Sequence, residues 1–167
     1  MMRQAICILF VMASLLTSCA PEPAGDFAIY LTAEDMTVPQ MASADLQSVP
    51  LQNAPIISTA DIASYTWGTH EIKLTAAAFE RILQLQVPVW GLPFVACVDR
   101  KPVYWGAFWT PISSLAFEGV TIMIPLGADN RTIRIELGYP SSQFFQGNDP
   151  RINSEVRKAL EQRSKLR

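Results

Sequence analysis

The sequence predicts a single α+β domain: a mainly antiparallel sheet with one central helix packed on it and a second helix at the C-terminus. Three observations lead to this fold class. The 167 residues are a typical length for one domain. Half of them are hydrophobic and 17% are charged, which excludes a disordered chain. Strand-like segments outnumber helical ones, and most of their connections look short enough for hairpins, which favours antiparallel pairing.

The first predicted strand is residues 27–31, an almost wholly apolar run. Residues 34–54 are rich in small and polar side chains and include two prolines, so they predict an irregular excursion. Two extended segments follow, 55–58 and 63–67, and they flank a predicted short turn at 59–61.

The predicted central helix follows a strand with a clear alternating pattern. In residues 70–74, His70, Ile72 and Leu74 share one face of the predicted strand. Thr75 is the predicted N-cap, because its hydroxyl can accept hydrogen bonds from the first free amides of a helix. The helix is predicted over 76–86, before Pro88.

The remaining strands are predicted from apolar runs separated by turn residues. Residues 94–98 are continuously apolar, as in a strand covered on both faces. A turn at 99–102 predicts a hairpin with 103–109. Two further strands are predicted at 119–125 and 132–137, joined by a turn at 127–130.

The C-terminal helix is predicted over about 150–166. Asp149 is suited to the N-cap position and Pro150 to the first turn. Residues 151–167 carry six basic and two acidic side chains, so the helix could contact an anionic partner. The alternative is a solvated helix whose cations favour its own C-terminal dipole. The candidate anionic-partner surface consists of Arg157, Lys158, Arg163 and Lys165.

The N-terminus has the pattern of an export signal. Arg3 precedes an apolar run over 5–16, too short to span a membrane. The run ends in Leu16, Thr17, Ser18 and Cys19, which resemble the lipobox of bacterial lipoproteins. That resemblance implies a diacylglycerol on the Cys19 sulfur, cleavage before Cys19, and an acylated new amino group, for example with palmitate. The alternative is an ordinary secretory signal cut after Ala20.

The resemblance also implies a division of the chain and a location. Residues 1–18 would be the signal peptide, 19–25 the lipidated cysteine with a short tether, and 26–167 the domain. The protein would then be attached to the cell envelope through its lipid. In this family Asp directly after the lipidated cysteine often retains the protein in the inner membrane. Ala20 stands there instead, which favours the outer membrane.

Residues 70–122 are similar to the periplasmic head subdomain of SecD, a subunit of the bacterial protein-export translocon. In that subdomain a Leu-Thr pair ends a strand and opens a helix, and a buried strand ends in Asp. The corresponding residues here are Leu74, Thr75 and Asp99. The resemblance implies a non-catalytic extracytoplasmic module that contacts another polypeptide.

Several function classes have little support in the sequence. The net charge of −2 argues against a nucleic-acid binder. His70 is the only histidine, and neither HExxH nor paired cysteines occur, so no metal or cofactor is expected. His70 is predicted to be a buried, hydrogen-bonded residue. No catalytic residue is predicted.

Two alternatives remain open beside a partner-binding role. Tyr104, Trp105, Phe108 and Trp109 lie on one predicted strand, and one of its faces could form a platform for a glycan such as peptidoglycan. Otherwise both faces are packed. A thiol enzyme using Cys97 is the second alternative, although Cys97 lies within a strand predicted to be buried. The sequence therefore predicts an envelope lipoprotein whose domain binds or organises another envelope component, most simply a protein.

Overall fold

The computed structural model describes residues 25–125 and 130–167. These residues form eight strands and three α-helices, with four short 3₁₀ turns at 46–48, 59–61, 142–144 and 150–152. The strands and helices run in the following order: β1 (Phe27–Leu31), α1 (Val38–Ser43), β2 (Ile57–Ser58), β3 (Ile62–Thr66), β4 (Glu71–Leu74), α2 (Ala76–Leu83), β5 (Leu92–Val98), β6 (Lys101–Trp109), β7 (Phe117–Met123), β8 (Thr132–Tyr139) and α3 (Ser154–Gln162). The α+β class is confirmed.

All eight strands belong to one sheet, in the order β2-β1-β5-β6-β7-β8-β4-β3. Every neighbouring pair is antiparallel except β6 and β7, which are parallel. The two edge strands, β2 and β3, are joined by only residues 59–61, so the sheet curls until its edges come close. Across this gap the rings of Phe27 and Tyr65 meet edge to face at 6.4 Å.

The inner face of the curled sheet holds the main core. Strand residues alternate between the two faces, and on β5 Phe94 and Ala96 face inward. The core also includes Ala78, Phe79 and Ile82 of α2. Helix α3 contributes its own apolar stripe, Val156, Ala159 and Leu160.

The outer face is covered by two smaller clusters. Val95 and Cys97 of β5 point outward and pack beneath Met41 of α1. Farther along the sheet, Ala107, Trp109 and Phe117 form the second cluster. Because β6 and β7 are parallel, the connection 110–116 must return along the sheet, and it does so beside Tyr139 of β8.

The structure leaves one helix prediction unconfirmed, confirms another and shows a helix that was not predicted. The central position expected of the helix after Thr75 is not confirmed, because α3 lies against β1 and β5 on one face of the sheet and α1 lies against β5 on the other. The Thr75 cap is confirmed, since its hydroxyl accepts from the Ala78 amide at 3.3 Å. Residues 34–54 are not wholly irregular: Thr37 and Gln40 form a capping box that starts α1.

The predicted C-terminal helix over 150–166 is wrong at both ends. Asp149 caps only the 3₁₀ turn at 150–152, and the N-cap of α3 is Asn153, whose side chain accepts from the amides of Glu155 and Val156. The helix ends at Gln162, and Ser164 has a positive φ of 54°. The last residues are extended beside β3, where the Tyr65 amide donates to the Lys165 carbonyl at 2.7 Å. The reason is that the open edge of β3 offers unpaired backbone groups.

Candidate functional site

The predicted lipobox, Leu16 to Cys19, lies outside the described residues. The described chain starts at Gly25, which lies against Val98 and Asp99 at the turn between β5 and β6. The Asp26 amide donates to the Asp99 carboxylate at 2.8 Å, and the Asp26 carbonyl accepts from the Asp99 amide at 3.0 Å. The described residues therefore begin at the Val98 end of β5.

The aromatic strand predicted as a glycan platform is β6, and most of its aromatic side chains are buried. Tyr104 and Phe108 belong to the inner core, where Phe108 packs against Phe94 with ring centroids 5.2 Å apart. Trp109 faces outward but is only 2% exposed, because it stacks on Phe117 at 5.1 Å. Only Trp105 remains half-buried. The candidate surface formed by these four residues is therefore corrected, since covered rings cannot stack on a sugar.

Trp105 instead borders a largely apolar concavity with a volume of about 660 Å³; this concavity is called the apolar groove below. One wall is helix α1 with the turn that follows it, including Val38, Pro39, Ala42 and Leu46. The opposite wall is the start of β7 and residues 145–150. Three exposed polar side chains also line it: Glu118, Gln146 and Asn148.

The apolar groove lies where β6 and β7 begin. These strands pair in register over 106–109 and 120–123, whereas the groove is lined by the preceding residues 103–105 and 116–119. The carbonyl of Glu118 accepts from the Gln146 amide at 3.2 Å, so a backbone acceptor in the groove wall is already used.

A second feature is an exposed apolar patch on two loops that lie side by side. Trp90 and Val89 on one loop are 55% and 41% exposed, and Ile112 and Leu115 on the other loop are 78% and 49% exposed. These four residues are called the loop patch below. No charged residue occurs in the segments 82–98 and 102–117 that carry them.

The loop patch is held by hydrogen bonds beneath it. The buried Ser113 hydroxyl donates to the Val89 carbonyl at 2.5 Å and accepts from the Leu115 amide at 3.1 Å. The Tyr139 hydroxyl donates to the Ser113 carbonyl at 3.0 Å. The ring of Trp109 fills the space next to Gly91, where a Cβ would lie 2.6 Å from a ring carbon. These contacts order two loops whose apolar side chains nevertheless face solvent.

His70 is buried, as predicted, but it lies just before β4 and has a positive φ of 52°. Its Nδ1 is hydrogen-bonded to the Tyr65 hydroxyl at 2.9 Å. Burial lowers the pKa of His70, and the positive charge of Arg151 lowers it further, while Asp149 opposes both effects. Asp149 and Arg151 form an ion pair at 2.7 Å, and Arg151 also donates to the Ile135 carbonyl. His70 thus belongs to a structural polar cluster at the edge of the core.

Tyr104 lies near the same cluster with its hydroxyl buried. Among the described residues this hydroxyl has no hydrogen-bond partner. Burial raises the pKa of Tyr104 well above its usual value, so it stays protonated.

Cys97 faces the outer cluster beneath α1, whereas His70 contacts Tyr65 of the inner core. Burial raises the pKa of the Cys97 thiol to about 11, which keeps it protonated and weakly nucleophilic at neutral pH. The Cys97 thiol and His70 therefore lie on opposite sides of the sheet. A thiol enzyme would need these two groups to be in contact.

Two of the four predicted C-terminal cations already pair with carboxylates of this domain. Arg157 contacts Glu161 at 2.9 Å and lies over the Trp67 ring at 5.7 Å. Arg163 contacts Asp26 at 3.0 Å. Lys158 borders a polar cleft with Glu155, and the Lys165 backbone pairs with β3. These ion pairs reduce the net positive charge at the C-terminal segment. Binding of an anionic partner there stays a prediction.

Sequence reasoning missed the loop patch and the apolar groove. A signal for the patch exists, because large apolar residues next to Pro88 and Pro111 in uncharged connections are unusual for exposed loops. Within residues 25–125 and 130–167, no group of three potential metal ligands occurs. No helix in the same ranges is long and apolar enough to cross a membrane.

Compared with known proteins, the chain matches no family model, no curated protein and no solved structure. The similarity to the SecD head subdomain and to lipoproteins therefore stays a prediction made from the residues.

Proposed function

We propose that this chain is a lipid-anchored protein of the bacterial cell envelope whose domain binds another envelope protein through the loop patch. The role is binding rather than catalysis. The observation that carries the proposal is the loop patch itself, because ordered and exposed apolar patches mark interaction sites.

The composition of the loop patch defines the partner. Trp is enriched among the residues that dominate binding energy at protein interfaces, and Trp90 is more than half exposed in this patch. Because the two segments carry no charge, the complementary surface is an apolar, uncharged face of a protein. The ordering of the loops by Ser113 and Tyr139 lowers the entropy lost on binding.

The position of the patch relative to the tether favours a protein over the bilayer of the anchor. Gly25 lies at the Val98 end of β5, while Val89 and Trp90 precede the other end. Seven strand residues span about 20 Å. The six residues from Ala20 to Gly25 also reach about 20 Å at most. When Cys19 is anchored in the membrane, for which we favour the outer membrane, the loop patch faces away from that membrane.

The two alternatives lose support on geometric grounds. Peptidoglycan binding by β6 would need one aromatic face of the strand on the surface, whereas Tyr104 and Phe108 are buried on one face and Trp109 is buried on the other. A thiol enzyme would need Cys97 accessible and ionised, whereas it is buried and protonated.

Photocrosslinking in intact cells tests the partner and its surface. A benzoylphenylalanine in place of Ile112 should crosslink one envelope protein at least fivefold more strongly than one in place of the exposed Lys73. The captured protein, once purified, should bind the full chain at least tenfold more weakly when the chain carries Trp90→Ser and Ile112→Ser. Lys73→Ser should change the affinity by less than twofold.

Equal crosslinking at both positions, or purified binding that both patch substitutions leave unchanged, would contradict the loop patch. Cys19→Ala tests the anchor separately, because it should move the protein out of the membrane fraction. Retention of that variant on membranes would contradict the lipid anchor.

A further inference from the structure

We infer that the apolar groove binds one of the acyl chains on Cys19 of the same molecule, so that the domain is held on its own lipid with the groove end toward the membrane. This inference rests on the lipid anchor of the proposed function. It adds a second binding site, with an acyl chain as its ligand.

The shape and chemistry of the groove suit a hydrocarbon chain. Its volume of about 660 Å³ lies within the usual range for small-molecule sites. Val38, Leu46, Trp105 and Phe117 give it apolar walls. The one charged residue in its lining is Glu118, which is exposed. An acyl chain needs no hydrogen bonds, so it can enter such a site without leaving polar groups unpaired.

A peptide fits the groove less well, because each residue of a peptide carries a backbone donor and acceptor that need partners. The Glu118 carbonyl, which could pair with an added strand, already accepts from the Gln146 amide. Apart from Tyr104, whose side chain belongs to the inner core, the polar side chains in the lining are exposed, so most of a buried peptide backbone would lie against apolar side chains.

The position of the tether selects the chain's own lipid as the source. Gly25 and Lys101 border the same cleft at the end of the β5–β6 hairpin. Val103 of the groove follows Lys101 by two residues, or about 7 Å along β6. The tether from Cys19 reaches about 20 Å, so an acyl chain on Cys19 can enter the groove. Since two or more chains are expected on Cys19, one can occupy the groove while another stays in the bilayer.

The test uses the full chain in cells fed a photoactivatable palmitate carrying a diazirine. After irradiation, mass spectrometry locates crosslinks between the acyl group on Cys19 and the rest of the protein. We expect intramolecular crosslinks to residues 38–46, 103–105 and 116–119. Ala42→Trp, which places a bulky ring at an exposed groove position, should reduce them at least fivefold. Ser43→Trp is the matched control on the same helix and should leave them within twofold.

Crosslinks that fall only on bilayer lipid, on another protein or on other faces of the domain would overturn the inference. So would an unchanged crosslink yield in the Ala42→Trp variant. The mass of the Cys19 peptide separates this failure from that of the anchor. An acylated Cys19 without groove crosslinks removes only the inference, whereas an exported chain with unmodified Cys19 removes the anchor as well.

Discussion

His70 lies in the turn between β3 and β4 with a left-handed backbone and its ring against Tyr65 and Trp67. A histidine in such a site folds in its neutral form, because burial and Arg151 both disfavour the imidazolium. Cys97 behaves in the same way on the opposite side of the sheet, where burial keeps its thiol protonated. At this scale, burial favours the neutral forms of both His70 and Cys97.

The lowered pKa of His70 predicts acid sensitivity at mildly acidic pH. In the unfolded chain the histidine takes up a proton near pH 6.5, whereas the folded protein resists it. Below that pH the unfolded state binds more protons, so the free energy of unfolding should fall as the pH drops from 7.5 to 5.0. Asp149 and Asp61 have lowered pKa values, so they contribute stability that is lost only below about pH 4.

His70→Asn should flatten this pH dependence, because Asn does not titrate and tolerates the left-handed backbone. Its loss of the Tyr65 hydrogen bond should cost about 0.5–1.5 kcal/mol at pH 7.5. Urea denaturation at pH 5.0, 6.0 and 7.5 measures both effects. A variant whose stability still falls between pH 7.5 and 5.0 as steeply as that of the unaltered protein would assign the acid sensitivity to other groups.

Among the elements, the β6–β7 pair shapes the region that holds both Ile112 and Leu115 of the loop patch and the apolar groove. Its strands are parallel, so the connection 110–116 lies along the outside of the sheet and carries Ile112 and Leu115. The same pair separates toward its start and leaves the apolar groove. Gly106 stands at the first paired position, where a Cβ would collide with the Val120 carbonyl oxygen and lie 2.6 Å from the Phe94 ring.

Gly106→Ala should therefore destabilise the domain by about 1–3 kcal/mol, because either β7 or Phe94 must move. Gly68→Ala is the matched control, since a Cβ there meets nothing within 4 Å, and it should stay within about 0.5 kcal/mol. Chemical denaturation of the two variants compares them directly. Equal stability would show that the β6–β7 contact can relax without cost.

For the whole molecule, the edge of the curled sheet at β3 is covered by residues 165–167. β3 is an edge strand, and Tyr65 of β3 and Trp67 just after it pair with Lys165 and Arg167 through three backbone hydrogen bonds of 2.7–3.4 Å. Leu166 packs against the core at the same place. The segment therefore covers an edge that would otherwise be open for pairing with another chain.

Deleting residues 165–167 should reduce the free energy of unfolding by about 2–4 kcal/mol, since four backbone hydrogen bonds, including the one from the Lys165 amide to the Leu160 carbonyl, and a half-buried leucine are lost. It should also promote self-association through β3, visible by size-exclusion chromatography. The double substitution Lys165→Ala and Arg167→Ala keeps the backbone bonds and should remain monodisperse. If the truncated and doubly substituted proteins behave alike, the side chains and not the edge pairing account for the effect.

The elements that the sequence predicts correctly are those encoded by neighbouring residues. The alternation before Thr75, its cap, and the hairpin around Asp99 depend on local side-chain preferences and appear as expected. The helix predicted to reach Leu166 fails because Lys165 pairs with β3, a strand 100 residues earlier in the chain. The parallel pairing of β6 with β7 likewise was not predicted, because no local sequence pattern specifies which strand becomes the neighbour of β6 in the sheet.

By itself the sequence determined the α+β class, most of the strands, the burial of His70 and the expectation of a lipid on Cys19, because these depend on local composition and spacing. Only the tertiary structure decided which apolar residues are left in solvent. It covers Trp109 with Phe117 and leaves Trp90 exposed, although both are tryptophans next to turn residues. The physical reason is that exposure depends on neighbours brought together by sheet pairing, and those neighbours are distant in the chain.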